Sequence, residues 1–107
     1  MEFVETAVFT RRIQAMGLED ELRGLQGELL ENPEKAPVEP GTGGLRKIRM
    51  AHHGQGKRGG ARVHYLALSH RNRIYLMFVY EKTEQAVLTK AQRQLLKSAV
   101  EEIKRTG

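Results

Sequence analysis

Lys47 and Arg49 stand two residues apart, as do Arg62 and His64, and Lys82 follows Phe78 and Tyr80 at the same even spacing. On extended backbone, side chains two apart share a face. If the three segments are neighbours, Lys47, Arg49, Arg62 and Lys82 gather on one patch, beside Lys57 and Arg58 of a glycine-rich run. Four cations on one concave surface repel each other unless an anion joins them, and a phosphate backbone is the natural one. Arginine adds a planar fork that matches phosphate oxygens. Solvated strand residues without a target are the plain alternative, but Glu81 is the only acid between residues 41 and 82.

Other motifs are weaker. Gly54-Gln55-Gly56-Lys57-Arg58-Gly59 matches G-x-G-x-x-G on paper, but a dinucleotide site needs a helix next, and strand-like ARVHYLAL follows. A phosphate-binding Walker loop fails too, with Ala51 and Arg58 at positions that need Gly and Ser or Thr. Adjacent His52 and His53 lack a carboxylate cluster, so proton transfer suits them better than a metal. Tyr65, Tyr75 and Tyr80 have rings able to stack on bases, but they lie in apolar segments, and core packing is the expectation.

These side chains need a sheet to carry them. Three strands are predicted, Leu45–Ala51, Ala61–Leu68 and Arg73–Tyr80, the last the most apolar and the best candidate for a central position. A turn at Ser69–Asn72 joins the last two, and residues 52–60 (HHGQGKRGG) join the first two. Before them come a short strand at Glu2–Glu5, a helix capped by Thr6 and stopped by Gly17, and a second helix over Leu18–Glu31 ended by Asn32-Pro33. Residues 32–44, rich in Pro and Gly, form a connector. Thr89 with Gln92 reads as a capping box opening a last helix with an apolar stripe of Leu95, Leu96, Ala99, Val100 and Ile103. The order β-α-α-β-β-β-α implies an α+β fold, a small largely antiparallel sheet with helices on one face and the other face open.

The whole chain agrees. At 107 residues it fits one domain, 1–107. It holds no cysteine, which excludes disulfides and thiolate chemistry. No apolar run reaches membrane-spanning length and no secretory leader is visible, so a cytoplasmic protein is expected. The net charge of +5 is uneven: residues 1–40 carry 4 basic and 9 acidic side chains, residues 41–82 carry 9 and 1, and residues 83–107 carry 5 and 3. A basic block inside a folded domain favours a polyanionic partner.

Three stretches together, Gly41-Thr42-Gly43-Gly44-Leu45-Arg46-Lys47-Ile48-Arg49, Gly56-Lys57-Arg58-Gly59-Gly60 with Arg62, Val63 and Tyr65, and Tyr80 with Lys82 and Glu84, resemble the HigB branch of the RelE/ParE toxin superfamily. The resemblance covers nearly the whole chain. It implies a RelE-like fold and the toxin of a type II toxin–antitoxin system. Such a toxin is an endoribonuclease (an mRNA interferase) that enters the ribosomal A site and cuts translated mRNA. The ribose 2′-hydroxyl attacks the adjacent phosphodiester, without metal or cofactor. That chemistry needs a proton acceptor, cations for the developing charge and a donor for the leaving oxygen.

The resemblance makes Arg62 the stabiliser of transition-state charge. It puts Lys47 and Arg49 in the catalytic basic pair and Lys82 in a role as acid, base or clamp. Lys57, Arg58, Arg46, His53 and Arg73 are expected to hold RNA. Thr89 stands near the place where some RelE-type enzymes carry a stacking tyrosine, and Thr83 where they can carry a second arginine, so the proton-transfer roles stay open. Expected partners are a cognate antitoxin from the adjacent gene, the 70S ribosome and mRNA, with the toxin alone a monomer. The competing readings are a ParE-like toxin that inhibits DNA gyrase without cutting RNA, and a non-catalytic RNA-binding module.

Overall fold

The structure, a computed structural model, describes residues 1–51 and 60–106. The elements run β1 (Glu2–Glu5), α1 (Ala7–Met16), α2 (Glu19–Glu31), β2 (Arg46–Met50), β3 (Ala61–Leu68), β4 (Arg73–Glu81) and α3 (Lys90–Thr106). This is the α+β order expected from sequence. The four strands form one mixed sheet in the order β1-β4-β3-β2, with β1 parallel to β4 and the other pairs antiparallel.

Local chemistry sets the boundaries. The Thr6 hydroxyl accepts from the Phe9 N–H (3.1 Å) and opens α1. Gly17 closes it in the left-handed region at φ 68°. Asn72, at φ 56°, makes the turn after the 3-10 segment Ser69–Arg71. The Thr89–Gln92 capping box forms reciprocally, N–H to side-chain oxygen at 3.0 and 3.1 Å.

One expectation fails: the helices do not share a face. α1 and α2 bury Phe9, Ile13, Leu22, Leu25 and Leu29 against Val63, Tyr65, Ile74, Leu76 and Val79. α3 packs Leu96 and Val100 on the opposite face, against Leu66, Leu68, Tyr75, Met77 and Phe78. The physical reason lies in β4, which is buried from Ile74 to Tyr80 and so needs cover on both sides. The α3 stripe is also narrower than predicted, since Leu95 points outward and is 73% exposed.

A bulge in β4 keeps the faces consistent. His64 pairs with Phe78 and Tyr65 with Leu76, which leaves Met77 as an extra residue. Met77 and Phe78 therefore both face α3, and Tyr80 regains the face of Arg62.

Candidate functional site

The face that carries α3 is only half covered. Beyond the helix, β2 contributes Lys47 and Arg49, β3 contributes Arg62, and Lys82 follows the end of β4. These four side chains line one open cleft of about 360 Å³, with Pro37, Glu39 and Ala86 completing its walls. The even spacing of these residues in the sequence agrees with this convergence, and the strand pairing produces it: Lys47 lies opposite His64, Arg49 opposite Arg62, and Arg62 opposite Tyr80.

Arg62 lies deep, 6% exposed. Its Nη1 donates to the carbonyls of Gly60 (3.3 Å) and Ala61 (3.5 Å). Burial, and next the charge of Arg49, hold its pKa below the ordinary arginine value, while Tyr80 acts the other way. Two guanidinium groups directly opposed on a sheet are mutually destabilising. Glu39 is the one acid among the described residues lining the cleft, so cations outnumber it four to one. An anion entering there relieves the repulsion.

Beneath the cations lies a polar floor of buried side chains. His64 is fully buried, and neither ring nitrogen has a hydrogen-bond partner. Burial, then Lys47, push its pKa down to about 4. The buried Tyr80 hydroxyl is likewise unpartnered, its pKa raised by burial and then by Glu39. Glu39 Oε1 lies 3.9 Å from Lys47 Nζ and 3.8 Å from His64 Nε2. The three tyrosines are core residues, as expected.

The connector forms the other wall. The Glu39 N–H donates to the Leu45 carbonyl (2.8 Å), and Val38 bridges to Arg46. The Thr42 hydroxyl donates to the Glu39 carbonyl (2.6 Å) and accepts from the Leu45 N–H (3.0 Å). Gly43, at φ 80°, sits so close under α3 that a Cβ would meet Val100 Cγ1 at 3.3 Å. Lys104 Nζ donates to the Gly43 carbonyl (2.7 Å) and ties the turn to the last helix.

Two expected RNA contacts lie away from this cleft. Arg46 has the register of Ile48 and Met50, which face α1 and α2. Its Nη1 donates to the carbonyls of Ala36 (2.7 Å) and Glu34 (3.3 Å), so it braces the connector. Arg73 opens β4, at the opposite end from Lys82, and pairs with Glu2 (3.1 Å). Lys57, Arg58, His52 and His53 lie outside the described residues. Among the described residues no group of three or more His, Asp or Glu side chains is placed to hold a metal.

A family model described as the RelE toxin of the RelE/RelB toxin–antitoxin system matches residues 3–106. The chain belongs to the RelE toxin family. In this RelE-family chain the match takes in β1 from residue 3, every later element through α3 and all four cleft cations. Membership gives it a toxin role in a toxin–antitoxin system. No described helix is long and apolar enough to cross a membrane.

Proposed function

We propose that this RelE-family protein is a HigB-type, ribosome-dependent mRNA endonuclease. It acts in the cytoplasm as a monomeric domain, 1–107, and is silenced by a cognate antitoxin. The observation that carries the reading is the gathering of Lys47, Arg49, Arg62 and Lys82 around one open cleft. An RNA phosphodiester seated there meets Arg62 at the base and three more accessible cations around it. As the 2′-hydroxyl oxygen bonds to phosphorus, charge builds on the non-bridging oxygens. Preorganised donors in a partly dehydrated site stabilise that charge most strongly. In this reading Lys82, exposed at the rim, protonates the departing 5′-oxygen.

The decisive assay uses programmed ribosomes and purified protein, with cleavage read by primer extension. Wild type cuts the message, and Arg62→Ala loses at least about 100-fold in rate. Since Arg62 is buried, thermal unfolding of the variant is measured alongside, and Lys82→Ala at the exposed rim provides a second loss of rate. Growth arrest with intact messages and inhibited DNA supercoiling would replace this reading with a gyrase-directed toxin.

A further inference from the structure

Four cations explain binding and charge stabilisation, but lysine and arginine side chains serve as hydrogen-bond donors. The 2′-hydroxyl needs an acceptor. His64, with its pKa near 4, has a free lone pair, but it is fully buried and cannot touch a substrate. Among the described residues lining the cleft, one acceptor remains, the carboxylate of Glu39.

We propose that Glu39 is the catalytic base that takes the 2′-hydroxyl proton, an assignment that rests on the nuclease reading above. Its side chain is 17% exposed, so it reaches the cleft while staying largely shielded from water. Oε2 is buried without a hydrogen-bond partner. Buried polar atoms are nearly always paired, and exceptions mark places where a ligand or a reaction completes the pairing. Oε1 faces Lys47 and the neutral His64 ring at a range longer than a hydrogen bond, so the Lys47 charge holds the group without consuming its acceptor capacity. The backbone is fixed on both sides, by the Leu45 carbonyl and the Thr42 hydroxyl. A carboxylate so placed keeps its acceptor capacity, and the acidity of the 2′-hydroxyl rises as its oxygen bonds to phosphorus. In the step, the proton passes to the carboxylate, the 2′-oxygen–phosphorus bond forms and the phosphorus–5′-oxygen bond breaks. The 5′-oxygen collects a proton from Lys82, and water later resets both groups. The products are a 2′,3′-cyclic phosphate and a 5′-hydroxyl.

The test is single-turnover cleavage on programmed ribosomes with wild type, Glu39→Gln and Glu39→Asp, each checked for unfolding temperature. Glu39→Gln is expected to fold normally, since the side chain makes no hydrogen bond among the described residues. It should bind ribosomes at least as tightly, because a negative charge has left a phosphate site. Cleavage should slow by about 100-fold. Glu39→Asp should recover part of the rate. Cleavage by Glu39→Gln at the wild-type rate overturns the assignment. If the glutamine variant fails to fold, an undiminished rate for Glu39→Asp overturns it instead, because the acceptor has been withdrawn by one methylene. Failure of wild type itself to cleave would fell the nuclease reading, whereas cleavage shared by wild type and Glu39→Gln would fell only the role of Glu39.

Discussion

At the scale of the residue, His64 links the site to stability. Its ring is buried with Lys47 and Glu39 facing it, and its pKa falls from the ordinary 6.5 to about 4. Above pH 6.5 both folded and unfolded chains hold it neutral. Between pH 6.5 and 4 the unfolded chain binds a proton that the folded one refuses, so stability drains as pH falls. The full difference is about 3 kcal/mol, or about 1.4 kcal/mol per pH unit while it lasts. Urea unfolding of wild type and His64→Leu should therefore diverge below pH 6.5, with wild type losing more. Parallel curves would mean that the ring is hydrated. No polar partner is lost in this variant, so at pH 7 the two should lie close. Arg62 was visible in the sequence because strand alternation pairs it with the cations of β2. Glu39 was not, because nothing in a proline- and glycine-rich connector says which way a side chain turns. Only the Thr42 bonds and the close seat of Gly43 under α3 decide that.

At the scale of the element, β2 and β3 meet closely where the cleft is built. A Cβ on Gly60 would lie 2.0 Å from the Met50 carbonyl oxygen, so Gly60→Ala must push the strands apart. That shift separates Arg49 from Arg62 at the next pair and removes the Gly60 carbonyl from Arg62 Nη1. Overpacking of this kind costs about 1–3 kcal/mol. Gly60→Ala should lower the unfolding temperature and cut messenger cleavage together, while Gly24→Ala, whose Cβ meets nothing within 4 Å, should do neither. The strands were legible almost to the residue, since β-branched and aromatic runs between turn signals admit few boundaries. The capping box and the glycine stop were equally local and equally readable. The side of the sheet chosen by α3 was not local. It followed from β4 having two apolar faces, a fact in plain view in the sequence that a two-layer expectation overlooked. Leu95 was misjudged for the same reason, because α3 meets a half-covered sheet along a narrow seam.

At the scale of the whole molecule, charge is sorted by layer. The first forty residues, net −5, supply β1, α1, α2 and most of the connector, whereas residues 41–82, net +8, supply β2 to β4 and the four cleft cations. A molecule polarised this way meets a polyanion cleft first, at a rate that salt suppresses. Equilibrium binding to programmed ribosomes should weaken steeply between low and high salt. Lys82→Ala and Arg49→Ala should each flatten the log–log slope by about 0.7 per lost phosphate contact to single-stranded RNA. Arg73→Ala, at the far end of β4, should leave the slope as it was. A slope that Arg73→Ala alters and Lys82→Ala does not would move the RNA path to the other end of the sheet.

The bulge at Met77 gives β4 one residue of slack. With Met77 excised, Leu76 and Phe78 would alternate as a regular strand demands, and Tyr80 and Lys82 would keep their present sides. Excision of Val79 instead would swing Lys82 round toward the acidic helices. The chain can thus lose a link at one point of its central strand and keep its working surface aimed, and two positions further on it cannot.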